Sequence, residues 1–155
     1  MWVYYCGGGL GGYSSRMVAK GSYNNRSLGM QMYKVGAIGF LHWGFNFYNT
    51  RRSLDAVNPF VELNGEHWVP AGDTNMVYPG QNGEPMESLR FIVFNEGLQD
   101  MRAMQLCESL YSHDEVVAAM EDEFGKEINF TTCAKSSDEM LRVRERINKM
   151  IKEKV

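Results

Sequence analysis

The chain has 155 residues, 44% of them hydrophobic and 23% charged, which is the make-up of a globular domain long enough to bury a core. A formal net charge of -3 is at odds with the concentrated Lys and Arg that displace counterions from phosphates, so nucleic acid is set aside as a partner. The longest apolar stretch, around 37–43, is far short of the roughly 20 residues a membrane-spanning helix needs, and Met1-Trp2-Val3-Tyr4-Tyr5 lacks the basic start of a signal peptide. No membrane partner is expected, and the location is read as cytoplasmic.

In chain order, 2–6 is a short aromatic and β-branched run that reads as a buried strand spilling into a mobile loop at Gly7-Gly8-Gly9 and Gly11-Gly12. Ser27 is placed as the N-cap of a helix over 28–35, Gly36 ends it, and 37–43 reads as a second strand. That strand is almost unbroken in apolar character, as expected where both faces are covered. Strand, helix, strand is the βαβ unit of a parallel sheet.

From 44 to 85 the pattern dissolves into Gly, Asn, Pro and Asp, a loop long enough to suggest function. Within it Asn64-Gly65 separates 60–63 from 66–69 and predicts a small type I′ hairpin. A long helix is predicted over 88–111, with Leu89, Ile92, Val93, Met101 and Leu110 as its core stripe and Gly97 as its weak point. Arg90, Glu96, Asp100 and Arg102 on it read as a solvated face. A second helix over 114–124 is closed by Gly125. Ser137-Asp138-Glu139 opens a third, patterned on Leu141, Arg144, Ile147 and Ile151.

Cys6, Cys107 and Cys133 have no CxxC or metal-like spacing and read as buried free thiols. His42, His67 and His113 stand at no metal-ligand spacing, and no P-loop, HExxH or dinucleotide loop occurs, so neither a metal nor a cofactor is expected.

The segments GFLHWGFNFYN (39–49), NPF (58–60), GDTNMVYPG (72–80) and SLRFIVFNEGLQDMRAMQLCESL (88–110) follow one another in a characteristic order. Together they resemble the C-terminal region of glycoside hydrolase family 123, the β-N-acetylgalactosaminidase type, and its relatives, over roughly 2–111. The resemblance implies an α/β fold, the C-terminal portion of a (β/α) barrel, with 1–111 as the partial barrel and 112–155 as a helical segment packed on it. It also implies substrate-assisted retaining hydrolysis of an N-acetylhexosaminide by an adjacent Asp-Glu pair, Glu as general acid and Asp steadying the acetamido group. The Asp-Glu pairs of this chain, 114–115, 122–123 and 138–139, fall in the C-terminal helices and read as solvated or capping acids. The catalytic pair is therefore expected upstream of Met1. A full barrel takes about 250 residues, and the chain is read as a fragment.

Barrel sites form at the C-terminal ends of strands and in the loops that follow, which places Tyr4, Tyr5, Trp43, Asn46 and Tyr48 on the functional rim, with Asp73 and Tyr78 of GDTNMVYPG beside them. Carbohydrate is the implied partner. Trp43 reads either as a sugar platform or as ordinary core, and Tyr48 stands where relatives often carry tryptophan. Asp73 reads either as a sugar-hydroxyl ligand or as the cap of its own turn. His42 and Trp43, adjacent in a strand, are expected to point to opposite faces, with His42 packed under a helix. Two other readings stand beside the glycosidase segment. One is a non-catalytic carbohydrate-binding module, favoured by a co-planar pair among Trp43, Tyr48 and Tyr78. The other is a homo-oligomer formed through unpaired strand edges.

Overall fold

The structure is a computed structural model that describes residues 1–7 and 12–155, so most of the glycine loop expected after the first strand lies outside the described residues. Strand β1 (Trp2–Tyr4) pairs in parallel with β2 (Gly39–Leu41) in the register Trp2 to Gly39, Val3 to Phe40 and Tyr4 to Leu41. Helix α1 (Ser22–Lys34) connects them, which is the βαβ unit expected from the sequence. A second pair, β3 (Val77–Pro79) and β4 (Pro85–Glu87), is antiparallel. Three helices follow: α2 (Leu89–Glu108), α3 (His113–Phe124) and α4 (Ser137–Lys152). Among the described residues the chain is a mixed α/β structure with two two-stranded sheets and no closed barrel.

Several boundaries differ from those the sequence suggested. Helix α1 begins six residues before the expected 28 and its N-cap is Gly21, while Ser27 lies inside the helix, its Oγ donating to the Tyr23 carbonyl and accepting from the Ala134 N–H. The early start is hidden in the sequence because Asn24, Asn25 and Gln31 are polar yet buried, which breaks the apolar period. Its end is as expected: Gly36, at φ 62°, donates to Tyr33 and Ala37 donates to Met32, the paired bonds of a Schellman cap. The 60–69 segment forms turns rather than a hairpin. Positive φ falls on Gly65, Glu66 and His67 instead of on Asn64-Gly65, so the two arms are not aligned to pair.

Helix α2 buries Gly97, Asp100, Ala103, Met104 and Cys107, whereas Leu89 and Ile92, expected in its core stripe, are exposed. Gly97 is where α1 crosses α2: a Cβ on Gly29 would lie 1.9 Å from the Gly97 carbonyl oxygen, so the two backbones meet too closely for any side chain. Asp100 is not on a solvated face. Its carboxylate, 1% exposed, takes two bonds from Arg26 at 2.6 and 2.9 Å and one from Arg144 at 2.8 Å, tying α1, α2 and α4 together. Helix α4 accordingly buries Met140, Val143, Ile147 and Met150, with Leu141 outside. One apolar cluster runs through Met30, Met104, Cys107, Val116, Met120 and Ile147, and so through all four helices. A smaller one fills the space between the parallel sheet and α1 with Leu28, Met32, Val3, Tyr5 and Phe40.

Side-chain alternation leaves Val3, Tyr5 and Phe40 facing the helices and Trp2, Tyr4 and Leu41 on the opposite face. Those last three are 68%, 54% and 54% exposed. Of the cysteines only Cys107 is buried; Cys6 is exposed at the end of the open strand β1, and Cys133 is half-buried.

Candidate functional site at the strand ends

The C-terminal ends of β1 and β2 lie side by side because the strands are parallel, and the chain leaving each of them converges on one carboxylate, Asp73. From the first end, the Gly7 N–H donates to Asp73 Oδ2 at 3.0 Å. From the second, His42 Nε2 donates to Oδ1 at 2.9 Å and Trp43 Nε1 to Oδ2 at 3.1 Å. Asp73 is 1% exposed and is bonded to other parts of the chain rather than capping its own turn. Burial pushes its carboxyl up, but the bonds from His42, Gly7 and Trp43 outweigh it and hold Asp73 below the ordinary carboxylate range.

His42 and Trp43 thus do not diverge. Regular strand geometry stops at Leu41, and the backbone bend at Trp43 lets both side chains reach Asp73. With its proton on Nε2, the His42 ring accepts the Gly44 N–H at Nδ1, 3.1 Å away, and packs 4.7 Å from the Tyr5 ring. Gly44 is obligatory for close approach, since a Cβ there would stand 2.0 Å from the Asp73 carbonyl oxygen. The Trp43 ring is half-buried and joins Trp68 and Phe47, at 5.1 and 5.3 Å, in an aromatic cluster roofed by the long loop.

The GDTN segment is itself pinned from below by Arg90. Its guanidinium donates to the carbonyls of Gly72, Asn75 and Arg16 at 2.7, 2.7 and 3.1 Å, so that α2 holds both loops that line the strand ends. Asn75, fully buried, closes the segment by accepting from Thr74 and donating to the Val77 carbonyl. Sequence reasoning placed His42 in the core, where its side chain is indeed only 4% exposed, without naming its partner, and placed Arg90 on the surface. For Arg90 a signal was available: a cation in the first turn of a helix faces the positive end of the macrodipole and needs a tertiary partner to offset that. For His42 none was, because its partner lies 31 positions away.

The other expected site residues divide. Tyr5 is half-buried, its hydroxyl accepting from Arg16 N and Nε at 2.9 and 3.2 Å, and burial keeps its phenol above the ordinary value against the pull of Arg16. Tyr4 stands exposed on the opposite face of β1. Asn46 is exposed and bridges through its backbone to Asn75, which brings it beside the Asp73 loop. Tyr48 donates its hydroxyl to Val77 at 2.8 Å. Tyr78 stacks on Phe60 with ring centroids 5.2 Å apart. No ring pair among the described residues joins Trp43, Tyr48 and Tyr78 to one another. Nor is there, among the described residues, a group of three or more His, Cys, Asp or Glu able to hold a metal ion, or a helix long and apolar enough to cross a membrane.

A parallel βαβ unit whose strand ends carry aromatic and hydrogen-bonding side chains is the arrangement from which sugar-cleaving α/β enzymes build their sites, and the chain falls in the glycosidase class of hydrolases. It belongs to the family described as glycoside hydrolase 123, catalytic domain, which matches residues 1–107 and so ends one residue before α2 does. No curated protein matches the chain. Glycoside hydrolases act on carbohydrate, which makes a sugar the substrate class of this family.

Proposed function

We propose that this chain is the C-terminal portion of a (β/α)-barrel glycoside hydrolase acting on N-acetylhexosamine-containing glycans, and that it supplies sugar contacts while the catalytic Asp-Glu pair lies outside it. The observation that carries this reading is the convergence of both parallel strand ends on Asp73, at the end of the sheet where barrel enzymes place their sites. The barrel origin is supported by the exposed face of Trp2, Tyr4 and Leu41, which has the character of a barrel interior.

In this reading Trp43, Tyr4 and Tyr78 offer ring faces to the C–H-rich side of a pyranose, while Asn46 takes hydroxyl or acetamido hydrogen bonds and Asp73, buried, holds the strand ends in place. Tyr5 and Tyr48, whose hydroxyls are engaged by Arg16 and Val77, contribute ring surface and loop position. Asp73 acts chiefly as a positioning residue, because three of its acceptor sites are taken by protein donors. The Asp-Glu pairs of α3 and α4 take no part: Glu115 belongs to the capping box of α3 and Glu139 sits in the first turn of α4.

The test is hydrolysis of chromogenic β-N-acetylgalactosaminide and β-N-acetylglucosaminide by the chain and by a version extended upstream of Met1. Turnover only by the extended protein, reduced at least about tenfold by Trp43→Ala, is the expected outcome. Turnover by the 155-residue chain alone would place the acid within it and overturn the division of labour.

A further inference from the structure

Beyond Asp73 and Asn75 the chain runs out along β3, turns at 80–84 and returns along β4. The outer end of this hairpin, with Phe60 from the same long loop, forms an open groove of about 550 Å³ lined by Phe60, Pro79, Gln81, Glu84, Pro85 and Met86. Its frame is fixed: Pro79 and Pro85 face each other across the ladder, and the Gly80 N–H closes the turn on the Glu84 carbonyl at 2.8 Å.

Phe60 stacks on Tyr78 with ring centroids 5.2 Å and planes 27° apart, yet it stays 54% exposed, and Met86, opposite Tyr78 in the ladder, is 46% exposed. A ring held in a stack but left half open offers apolar surface that loses little freedom when it is covered. Two exposed polar side chains stand beside it. Gln81 has no hydrogen-bond partner among the described residues, and Glu84 accepts the Asn82 N–H through Oε2 at 3.1 Å, leaving Oε1 to other donors. No Lys or Arg is among the described residues that line the groove, so nothing there calls for an anion. An apolar ring flanked by one amide and one carboxylate matches a pyranose, which presents a C–H-rich face and a rim of hydroxyls that donate and accept. The place is also right: loops that follow barrel strands build the substrate face, and the Tyr48 hydroxyl, donating to Val77, ties β3 to the rim at the strand ends.

We infer that this groove is an outer sugar subsite, and that the glycan bound at the strand ends is an extended chain rather than a single N-acetylhexosamine. One unit lies at the rim, and a unit further along the chain packs on Phe60 with its hydroxyls on Gln81 and Glu84. The inference rests on the glycosidase reading and deepens it, because the groove continues the rim through Tyr78.

The test titrates two β-linked tetrasaccharides, one of N-acetylglucosamine and one of glucose, and the two monosaccharides into the 155-residue chain, followed by NMR of the Phe60 and Met86 side chains. The N-acetylglucosamine tetrasaccharide is expected to bind about tenfold or more tightly than its monosaccharide and to shift both side chains, which the monosaccharide leaves unmoved. Phe60→Leu, which keeps the apolar bulk without the ring, should bring that ratio to about threefold or less. Val61→Ala, beside it but outside the groove and 82% exposed, should leave the ratio unchanged. Tetrasaccharides that bind no better than their monosaccharides, an unmoved Phe60, or a ratio that survives Phe60→Leu would each overturn the inference. A length advantage that depends on Phe60 in the glucose series alone would uphold the outer subsite and sink the N-acetylhexosamine reading, so the two failures are told apart.

Discussion

The half of the molecule built from strand ends and loops and the half built from helices are held together by different physics. In the helical half, one apolar cluster shared by four helices is closed by local devices: the Ser112–Glu115 capping box, the Gly125 cap at φ 70° and the Ser136 N-cap. In the strand-end half the regular strands are three residues long, and order comes from side chains that reach across sequence to a few buried polar hubs, Asp73 and Arg90 above all. The difference teaches that stability is spread over many exchangeable apolar contacts in one half and concentrated in a few irreplaceable hydrogen bonds in the other.

The comparison can be broken most severely in the helical core. Ile147→Ala removes a fully buried side chain and should cost about 2–5 kcal/mol in denaturant unfolding. Asp100→Asn should cost about 2–4 kcal/mol, the lower part of the range for a broken buried pair because Arg26 and Arg144 keep partial access to water. Asp73→Asn should cost about 1–3 kcal/mol, since an amide nitrogen must face one of the three donors. Unlike the first two, it should also change the fluorescence of Trp43, whose indole N–H it disturbs.

A pH titration sharpens the same contrast. The Asp73 carboxyl is depressed in the folded state, so its contribution is fully present above the unfolded carboxylate value of about 3.9 and is lost as pH falls through the folded value. The Asp73→Asn protein should therefore show a shallower acid limb below about pH 4 than the parent. The smallest effect is expected at the boundary of the two halves: Ser88→Ala removes the N-cap bond to the Phe91 N–H and should cost about 1 kcal/mol.

The expectations that held were those carried by short-range signals. Gly36 and Gly125 end helices because a positive φ suits glycine, and within the expected strand over 37–43 the residues Gly39–Leu41 do pair in parallel, though with Leu41 exposed rather than with both faces covered. The family, too, was legible in the ordered motifs from 39 to 110. Other expectations failed where a distant partner changes what a residue type means. Asp100 and Arg90 looked like solvated charges on a helix, and each is committed to elements tens of residues away. Asn64-Gly65 carried a hairpin signal, but the positive φ values run one position later and the turn joins no strands.

The sequence alone determined the α/β class, the four helices with most of their ends, and the identity of the family, since these depend on period, caps and motif order within a few tens of residues. Only the tertiary structure decided that His42 and Trp43 share one carboxylate with Gly7, and that Gly29 and Gly97 mark a helix crossing. The reason is physical: a hydrogen bond or a backbone contact between residues far apart in the chain leaves no periodic trace in either segment, and becomes visible only when folding brings the two together.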